Sequence, residues 1–324
     1  MSAVATETLC SLPIDVSQWL APDDSCVRFQ VRGECAKVSV ADRKESGKIA
    51  GAGARRPLPV TRLLFEDVGR ACGCDGIGPT GGRLELGVQP CPGAYTGSFL
   101  WSSSFHLSAW LFARRAQLRG LHVLELGCGL GLPSLVAARY ARRVVATDCD
   151  VALLETLRLN AENIGITVSG GLDGSVDERF GTAVLDFTSA SSVKAAGLGV
   201  WDMVLFTDCV MDGQGGYALP HALSALLCPS RGVALGVFPP SKRAGEDGFW
   251  SSVREAGLAW QHGDHSCLGR VASEVPAGTP PCRLVVFWTA RRAAEDCDVA
   301  ATLKEAIGDL DEELADLVPL FSGL

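Results

Sequence analysis

The sequence predicts an α/β fold in which a parallel sheet is covered by helices. From about residue 96 onward, short runs rich in β-branched residues alternate with stretches of helical periodicity. Parallel strands need crossover connections, and this alternation supplies them. The 324 residues are 47% hydrophobic and 20% charged, which is typical of a globular protein and excludes collagen-like and unfolded chains. Ligands of such sheets bind beyond the carboxyl ends of the strands, so the residues that close each run are candidate site residues.

Residues 1–95 are predicted to be an irregular, β-leaning N-terminal extension. Two segments, CVRFQVRGECAKVSV and RLELGVQ, alternate between apolar and polar residues as half-buried strands do. The segments ADRKESGKIAGAGARRPLP and ACGCDGIGPTGG are rich in Gly, Pro and charge, which indicates loops.

Residues 96–294 are predicted to form the α/β domain. Its strands are expected in the runs HVLELG, RVVATD, TAVLDF, WDMVLFTD, GVALGVF and RLVVFWTA. Its helices are expected in PSLVAARYA, VALLETLRLNAENIG, YALPHALSALL and DGFWSSVREAG.

Residues 295–324 carry the formal net charge of −8, because nine acids there oppose one lysine. Residues 1–294 are therefore formally neutral and lack the basic footprint of a nucleic-acid-binding protein. The tail also has apolar residues at helical spacing, which are Val299, Leu303, Ile307, Leu310, Leu314 and Leu317. We predict an acidic amphipathic helix, which either packs on the body of the protein or recruits a basic protein partner.

The sequence predicts a cytoplasmic or nuclear monomer that has no membrane partner. It contains no stretch of about 18 uncharged apolar residues and no basic segment ahead of an apolar one at its start. Its thirteen cysteines, an odd number in a long chain, are expected to be reduced and buried, among them Cys128, Cys149 and Cys209. No second cysteine pair or suitably spaced histidine accompanies Cys72 and Cys74, so no metal site is predicted.

The loop after the strand HVLELG is the first candidate ligand site. It reads ELGCGLGLP, with glycines at 127, 129 and 131, which let the backbone turn tightly and approach a ligand. Leu132 breaks the G-x-G-x-x-G pattern, and no Lys-Ser/Thr follows as in a P-loop. Glu125 would repel a pyrophosphate but could accept a hydrogen bond from an ammonium group. The loop therefore predicts a cationic ligand with a nucleoside attached.

Two further acids close the next two strands. Asp148 ends VVATD, where a carboxylate can accept both ribose hydroxyls. Asp186 ends VLD, where it could accept an exocyclic adenine N–H while Phe187 covers the ring. Each acid alone could be a helix cap or a turn residue. Three acids at the carboxyl ends of three strands fit one binding site better than three separate coincidences.

These motifs resemble the class I, seven-β-strand S-adenosylmethionine-dependent methyltransferases, in which ELGCGLGLPSL is followed by TD about twenty residues later. The segments TGSFLWSSSFHLSAWL, LRLNAEN, VLDF and WDMVLFTDCVMD narrow the resemblance to methyltransferase family 16. That group contains many protein-lysine methyltransferases and relatives that act on other protein side chains. The resemblance, over roughly residues 96–290, implies a Rossmann-like sheet of seven strands with helices on both faces.

The resemblance also implies S-adenosylmethionine as cofactor and assigns its binding residues. These are the loop residues Glu125, Gly127, Gly129 and Gly131, the ribose acid Asp148, the adenine-edge residues Asp186 and Phe187, and Trp101. An indole face attracts a sulfonium cation and stacks on a base. The alternative for Trp101 is a core anchor beside Leu100 and Phe105.

On the acceptor side, the family has an Asp-x-x-Tyr element at the end of the fourth strand, and this chain has Asp208 followed by Met211 in place of the tyrosine. The resemblance implies that Asp208 is the catalytic-site residue that orients the acceptor amine. Its alternative role is to cap the next helix. Tyr217 could replace the missing tyrosine only if the loop folds back.

The leading hypothesis is a methyltransferase that acts on a lysine side chain of a protein substrate. A second hypothesis keeps the cofactor and changes the acceptor to a small molecule, a histidine or an arginine. A third is a catalytically weak scaffold that retains the fold, which Met211 favours. A nucleic-acid methyltransferase is least favoured, because residues 1–294 have no net positive charge and the fourth strand ends in neither NPPY nor DPPY.

Overall fold

The computed structural model describes residues 27–32, 60–67, 83–91, 96–172, 179–263 and 282–289. Within these ranges the first three strands form a small antiparallel sheet in the order β1-β2-β3. They are β1 (Val27–Arg32), β2 (Thr61–Asp67) and β3 (Arg83–Val88). The alternating pattern predicted β1 and β3, whereas β2 was not among the predicted strands.

The second sheet has seven strands in the order β6-β5-β4-β7-β8-β10-β9. β4, β5, β6, β7 and β8 are parallel to one another, and β10 runs antiparallel to both of its neighbours. The strands are β4 (His122–Leu126), β5 (Arg143–Asp148), β6 (Phe180–Val184), β7 (Met203–Thr207), β8 (Val233–Phe238), β9 (Leu258–His262) and β10 (Arg283–Thr289). The predicted sheet of seven strands is confirmed, although β9 had not been located in the sequence.

Six α-helices and one 3-10 turn, Thr96–Ser98, accompany the described strands. The helices are α1 (Ser102–Ala113), α2 (Leu132–Ala137), α3 (Val151–Asn163), α4 (Ala190–Ala195), α5 (Gly213–Leu226) and α6 (Glu246–Glu255). Side chains cap three of their starts. Asp150 accepts the N–H of Ala152 at 2.9 Å, Asp212 accepts the N–H of Gly215 at 2.7 Å, and the hydroxyl of Ser189 accepts the N–H of Ser192 at 3.4 Å. Such caps satisfy N–H groups that a helix end leaves free.

Helices pack on both faces of the seven-stranded sheet, as predicted. Successive residues of one strand point to opposite faces, so Leu205 packs with α1, α2 and α3 while Phe206 packs with α5 and α6. The small sheet contributes Leu63 and Phe65 to the first of these two cores. The carboxyl ends of the parallel strands are therefore held rigidly from both sides.

The predicted acidic helix of residues 295–324 and most of the N-terminal extension lie outside the described residues, so these boundaries stay predictions. None of the helices in the described part of the chain has the length and apolar character needed to span a membrane.

Candidate functional site

A cavity of about 360 Å³ lies at the carboxyl ends of β4, β5 and β7. The loop after β4 forms one wall and the end of β5 another, while Thr207 and Asp208 contribute from β7. Trp101, Phe187 and Arg243 complete the lining from other segments of the chain. The cavity is where the topology of an open α/β sheet places a ligand.

The predicted glycine loop is a cradle of three left-handed residues. Gly127, Gly129 and Gly131 have φ values of 59°, 53° and 68°, which only glycine adopts without strain. A Cβ at Gly127 would lie 2.8 Å from Sγ of Cys209, and one at Gly131 would lie 2.6 Å from both Leu157 methyl groups. All three glycines line the cavity, so the backbone itself is available to a ligand.

Asp148 stands at the end of β5, as predicted, and lines the cavity. Its side chain is fixed by two backbone donors: the N–H of Gly129 reaches Oδ2 at 2.9 Å, and the N–H of Asp150 reaches Oδ1 at 3.1 Å. Each carboxylate oxygen has a second lone pair for a further donor. At this position the carboxylate can accept hydrogen bonds from the hydroxyl groups of a ligand.

Glu125 lies beneath the glycine loop, is completely buried, and does not line the cavity. Its Oε2 accepts the backbone N–H of Ser134 at 3.0 Å and the hydroxyl of the same residue. Its Oε1 has no hydrogen-bond partner among the described residues. Burial raises the pKa of this carboxyl to about 8, and the hydrogen bonds from Ser134 oppose that shift only in part. One buried oxygen is therefore left without a donor in the part of the chain that the structure describes.

The structure brings Phe187 into the cavity but not Asp186. Asp186 is exposed, and its Oδ1 accepts both the N–H and the hydroxyl of Thr188, at 2.9 and 2.6 Å. This local turn holds the carboxylate near its own backbone. The geometry thus agrees with the turn role that was the alternative for Asp186.

Trp101 immediately precedes α1 and is 43% exposed. Its Nε1 donates to the carbonyl of Thr96 at 2.7 Å, and its ring lines the cavity. A core anchor would be buried, so that alternative is wrong. The hydrogen bond orients the indole while its exposed surface stays available to a ligand.

Asp208 follows β7 with a φ of 52°, the one left-handed residue other than glycine in the described chain. Its carboxylate is held by the guanidinium of Arg243, whose Nε donates to Oδ1 at 2.8 Å and whose Nη2 donates to Oδ2. Asp212, not Asp208, caps α5, so the helix-capping alternative is wrong. The carboxylate predicted to orient an amine is already paired with a cation.

Arg243 is the functional-site residue that sequence reasoning missed. It lies in the loop after β8, and the parallel pairing of β8 with β7 places that loop beside Asp208. Its position after a predicted strand could have identified it, since residues that follow the strands of a parallel sheet are candidate ligand-binding residues.

The structure corrects one expectation for Tyr217 and one for the cysteines. Tyr217 does not line the cavity: it is 52% exposed, and its hydroxyl donates to Oε2 of Glu255 at 3.2 Å, so it does not replace the missing tyrosine. Met211 does line the cavity, with 47% of its surface exposed. Of the three cysteines expected to be buried, Cys128 is buried, whereas Cys209 is half-buried and Cys149, directly after β5, is exposed.

Three relatives illustrate what the chain is similar to. It is 31% identical to the protein N-terminal and lysine N-methyltransferase EFM7 of Eremothecium gossypii over 45% of this chain and 56% of that protein. It is 30% identical to mouse protein N-lysine methyltransferase METTL21A over 34% of this chain and 46% of that protein. It is 33% identical to the histidine protein methyltransferase 1 homolog of Dictyostelium discoideum over 25% of each chain. The chain thus spans about half the length of the first two relatives and a quarter of the third.

A solved structure, the TehB-like SAM-dependent methyltransferase of Corynebacterium glutamicum, covers 60% of this chain and 90% of its own with a TM-score of 0.41 at 15% identity. That likeness is too low to add to the assignment. A family model described as lysine methyltransferase matches residues 84–255, just over half of the sequence. The glycine loop, Asp148 and Asp208 all fall within the matched span, and the chain therefore belongs to the lysine methyltransferase family.

Proposed function

We propose that the protein is an S-adenosylmethionine-dependent methyltransferase that methylates a lysine side chain of a protein substrate. The observation that carries this proposal is the cradle of Gly127, Gly129 and Gly131 beside Asp148, at the carboxyl ends of β4 and β5. Membership of the lysine methyltransferase family supports it.

The residues present fit the proposed cofactor. When bound, S-adenosylmethionine supplies a methyl group on a sulfonium for direct displacement by a nucleophile. The free lone pairs of Asp148 suit ribose hydroxyls. Glu125 does not line the cavity and supports the loop from beneath through Ser134. The rings of Trp101 and Phe187 offer π-faces to a base or a cation. Side chains at the three loop glycines would clash with their neighbours or strain the backbone, so the cradle keeps the space open.

The chain's task in the transfer is to align an uncharged nucleophile, because a protonated amine has no lone pair with which to attack. A lysine must lose its proton first, and removal from water favours that loss. Met211, which follows β7 and is 47% exposed, gives the cavity apolar surface for a lysine side chain. A protein acceptor is favoured over nucleic acid because residues 1–294 are formally neutral.

The decisive experiment incubates the purified full-length protein with methyl-labelled S-adenosylmethionine and a cell lysate. We expect label in a discrete protein band and a mass shift on a lysine of that band. The matched control is Asp148→Asn, which should lose most of the transfer because the carboxylate that holds the glycine loop and lines the cavity loses its charge. Label confined to small metabolites would replace the protein acceptor by a small molecule. Binding of cofactor without any transfer would favour the weak scaffold.

A second candidate acceptor is the α-amino group at a protein N-terminus. One relative is named a protein N-terminal and lysine N-methyltransferase, and an α-amine loses its proton more readily than a lysine amine. Two peptides separate the candidates, one with a single lysine and a blocked α-amine, the other with a free α-amine and no lysine. Transfer to the second peptide alone would overturn the lysine assignment.

A further inference from the structure

The charges around the cavity are unevenly distributed between its two ends. Of the charged residues that the structure describes in the lining, Asp148 and Asp150 stand at the end of β5, while Asp208 and Arg243 stand at the end of β7 and beside it. β4 lies between these two strands, and neighbouring strands are about 4.8 Å apart. The β5 end is therefore acidic, whereas the β7 end, hereafter the acceptor end, contains one acid and one base.

The acid and the base of the acceptor end form a two-bond ion pair with each other. Both carboxylate oxygens of Asp208 receive N–H groups of the Arg243 guanidinium. The Asp208 side chain is only 8% exposed, and that of Arg243 is 31% exposed. A two-bond fork of this kind is among the stronger pairings of charged side chains. Among the lining residues that the structure describes, the acceptor end therefore has no carboxylate without a cationic partner.

The pair is supported from behind by a second buried acid. The backbone N–H of Arg243 donates to Oε1 of Glu246 at 3.0 Å. Glu246 is 2% exposed, and both of its carboxylate oxygens accept hydrogen bonds from Nη2 of Arg283 at 2.9 Å. Arg283 begins β10, so the backbone at Arg243 is anchored to the sheet. The guanidinium is consequently held in place next to Asp208.

This arrangement has a direct consequence for an amine acceptor. A free carboxylate within about 4–6 Å of an amine stabilises the ammonium form, which cannot attack a methyl group. A carboxylate whose charge is balanced by a bound guanidinium does not stabilise the ammonium form in this way. The guanidinium stays charged at all relevant pH values and disfavours a second cation nearby. We propose that Arg243 is the specificity-determining residue of the acceptor end, where it cancels the charge of Asp208 so that an uncharged nucleophile is selected. This inference rests on the proposed methyltransferase function.

The first test uses binding alone and compares S-adenosylmethionine, whose sulfonium is a cation, with its uncharged-sulfur product S-adenosylhomocysteine. Calorimetry would give the ratio of the two Kd values for the wild-type protein and three variants. Arg243→Gln leaves Asp208 unpaired, so the preference for the sulfonium should rise by about fivefold or more. Asp208→Asn leaves the cation unpaired and should move the ratio in the opposite direction. The double variant restores neutrality and should return the ratio close to that of the wild type.

This design keeps the inference open to refutation even if one variant does not fold, because Asp208→Asn and Arg243→Gln predict shifts of opposite sign. Circular dichroism of each variant would establish that it is folded. A ratio that stays constant in the folded variants would overturn the inference.

The second test uses a peptide with one lysine and a blocked α-amine as the probe. In Arg243→Gln, the freed carboxylate should lower the KM for the lysine peptide and shift the pH dependence of kcat upward by about one pH unit. A general loss of folding would lower kcat without moving that pH profile, and an unmoved profile in the folded variant would overturn the inference. If the wild type transfers no methyl group to any protein, the proposed function fails, while the binding ratios still decide the role of Arg243.

Discussion

The backbone N–H of Gly129 donates to Oδ2 of Asp148 at 2.9 Å, so the loop after β4 and the end of β5 fix each other. The same carboxylate accepts the N–H of Asp150 through Oδ1, next to the start of α3. One side chain thus sets the shape of the cradle while it faces the cavity. Asp186, one strand further along, has no such role, because it accepts only from Thr188.

We therefore expect Asp148→Asn and Asp186→Asn to differ strongly in cofactor binding. Loss of charge-assisted hydrogen bonds at Asp148 should cost on the order of 1.5–3 kcal/mol, which weakens the Kd for S-adenosylmethionine by roughly tenfold or more. Asp186→Asn should change that Kd by less than about twofold, because its carboxylate does not line the cavity and accepts only from Thr188. Calorimetry of both variants checks this. An equal loss in both would restore Asp186 to the cofactor site.

The second prediction compares two glycines with positive φ values. Gly131→Ala places a Cβ 2.6 Å from the Leu157 methyl groups, whereas a Cβ at Gly165, with a φ of 73°, meets nothing within 4 Å. Both substitutions should cost about 1–2 kcal/mol for the left-handed backbone. Gly131→Ala should cost about 1–3 kcal/mol more for the overlap and should weaken cofactor binding. Urea unfolding of both variants measures the difference, and equal losses would contradict the close packing of the loop.

The third prediction concerns pH. The pKa of Glu125 is raised by burial from 4.5 to about 8 in the folded protein, so between these values the folded state binds more protons than the unfolded state. The contribution of Glu125 to stability is therefore full below pH 4.5 and is lost as the pH rises towards 8, by at most about 1.4 kcal/mol per pH unit. Glu125→Gln should remove this decline, so its advantage over the wild type should grow with pH.

Urea unfolding at several pH values between 5 and 8.5, a range chosen to bracket roughly the interval in which Glu125 titrates, measures this effect. The exposed Glu155 of α3 provides a control, because Glu155→Gln removes a charge without changing a buried group. A parallel pH dependence in the wild type and in Glu125→Gln would show that Glu125 is not the source.

The fourth prediction tests the exposed indole. Trp101→Ala should weaken binding of S-adenosylmethionine by about 0.5–2 kcal/mol, the range of a cation–π contact. Because Trp101 is 43% exposed, the Tm of the Trp101→Ala variant should fall by only a few degrees. Tyr217→Ala removes an aromatic ring that is 52% exposed and outside the cavity, and it should leave the cofactor Kd unchanged. A large loss of Tm in Trp101→Ala with unchanged binding would make the indole a structural residue.

Much of the cofactor side was predictable because its determinants are local in sequence. The glycines at alternating positions need a left-handed backbone, and Asp148 directly ends a strand, so spacing alone located both in the cavity. Asp186 also follows a strand, but a turn of three residues decides where its carboxylate points, and the strand pattern carries no information on that turn.

The acceptor end was less predictable because its partners are distant in sequence. Asp208 and Arg243 are separated by 35 residues and meet only because β7 and β8 are neighbours in the sheet. Tyr217 lies nine residues after Asp208 along the chain, yet α5 directs it to Glu255. Sheet order and helix direction are properties of the whole fold, and neither follows from the WDMVLFTDCVMD segment by itself.

The position of β10 between β8 and β9 has a consequence for synthesis on the ribosome. All six residues of β8 are buried in the finished protein, and β10 begins only at Arg283. Until β10 has left the exit tunnel, β8 is an apolar edge strand with open N–H and C=O groups, and β9 lacks its partner among the described strands. Such edges invite pairing with other chains. A nascent chain that stalls before β10 is therefore expected to be prone to aggregation through the open edge of β8.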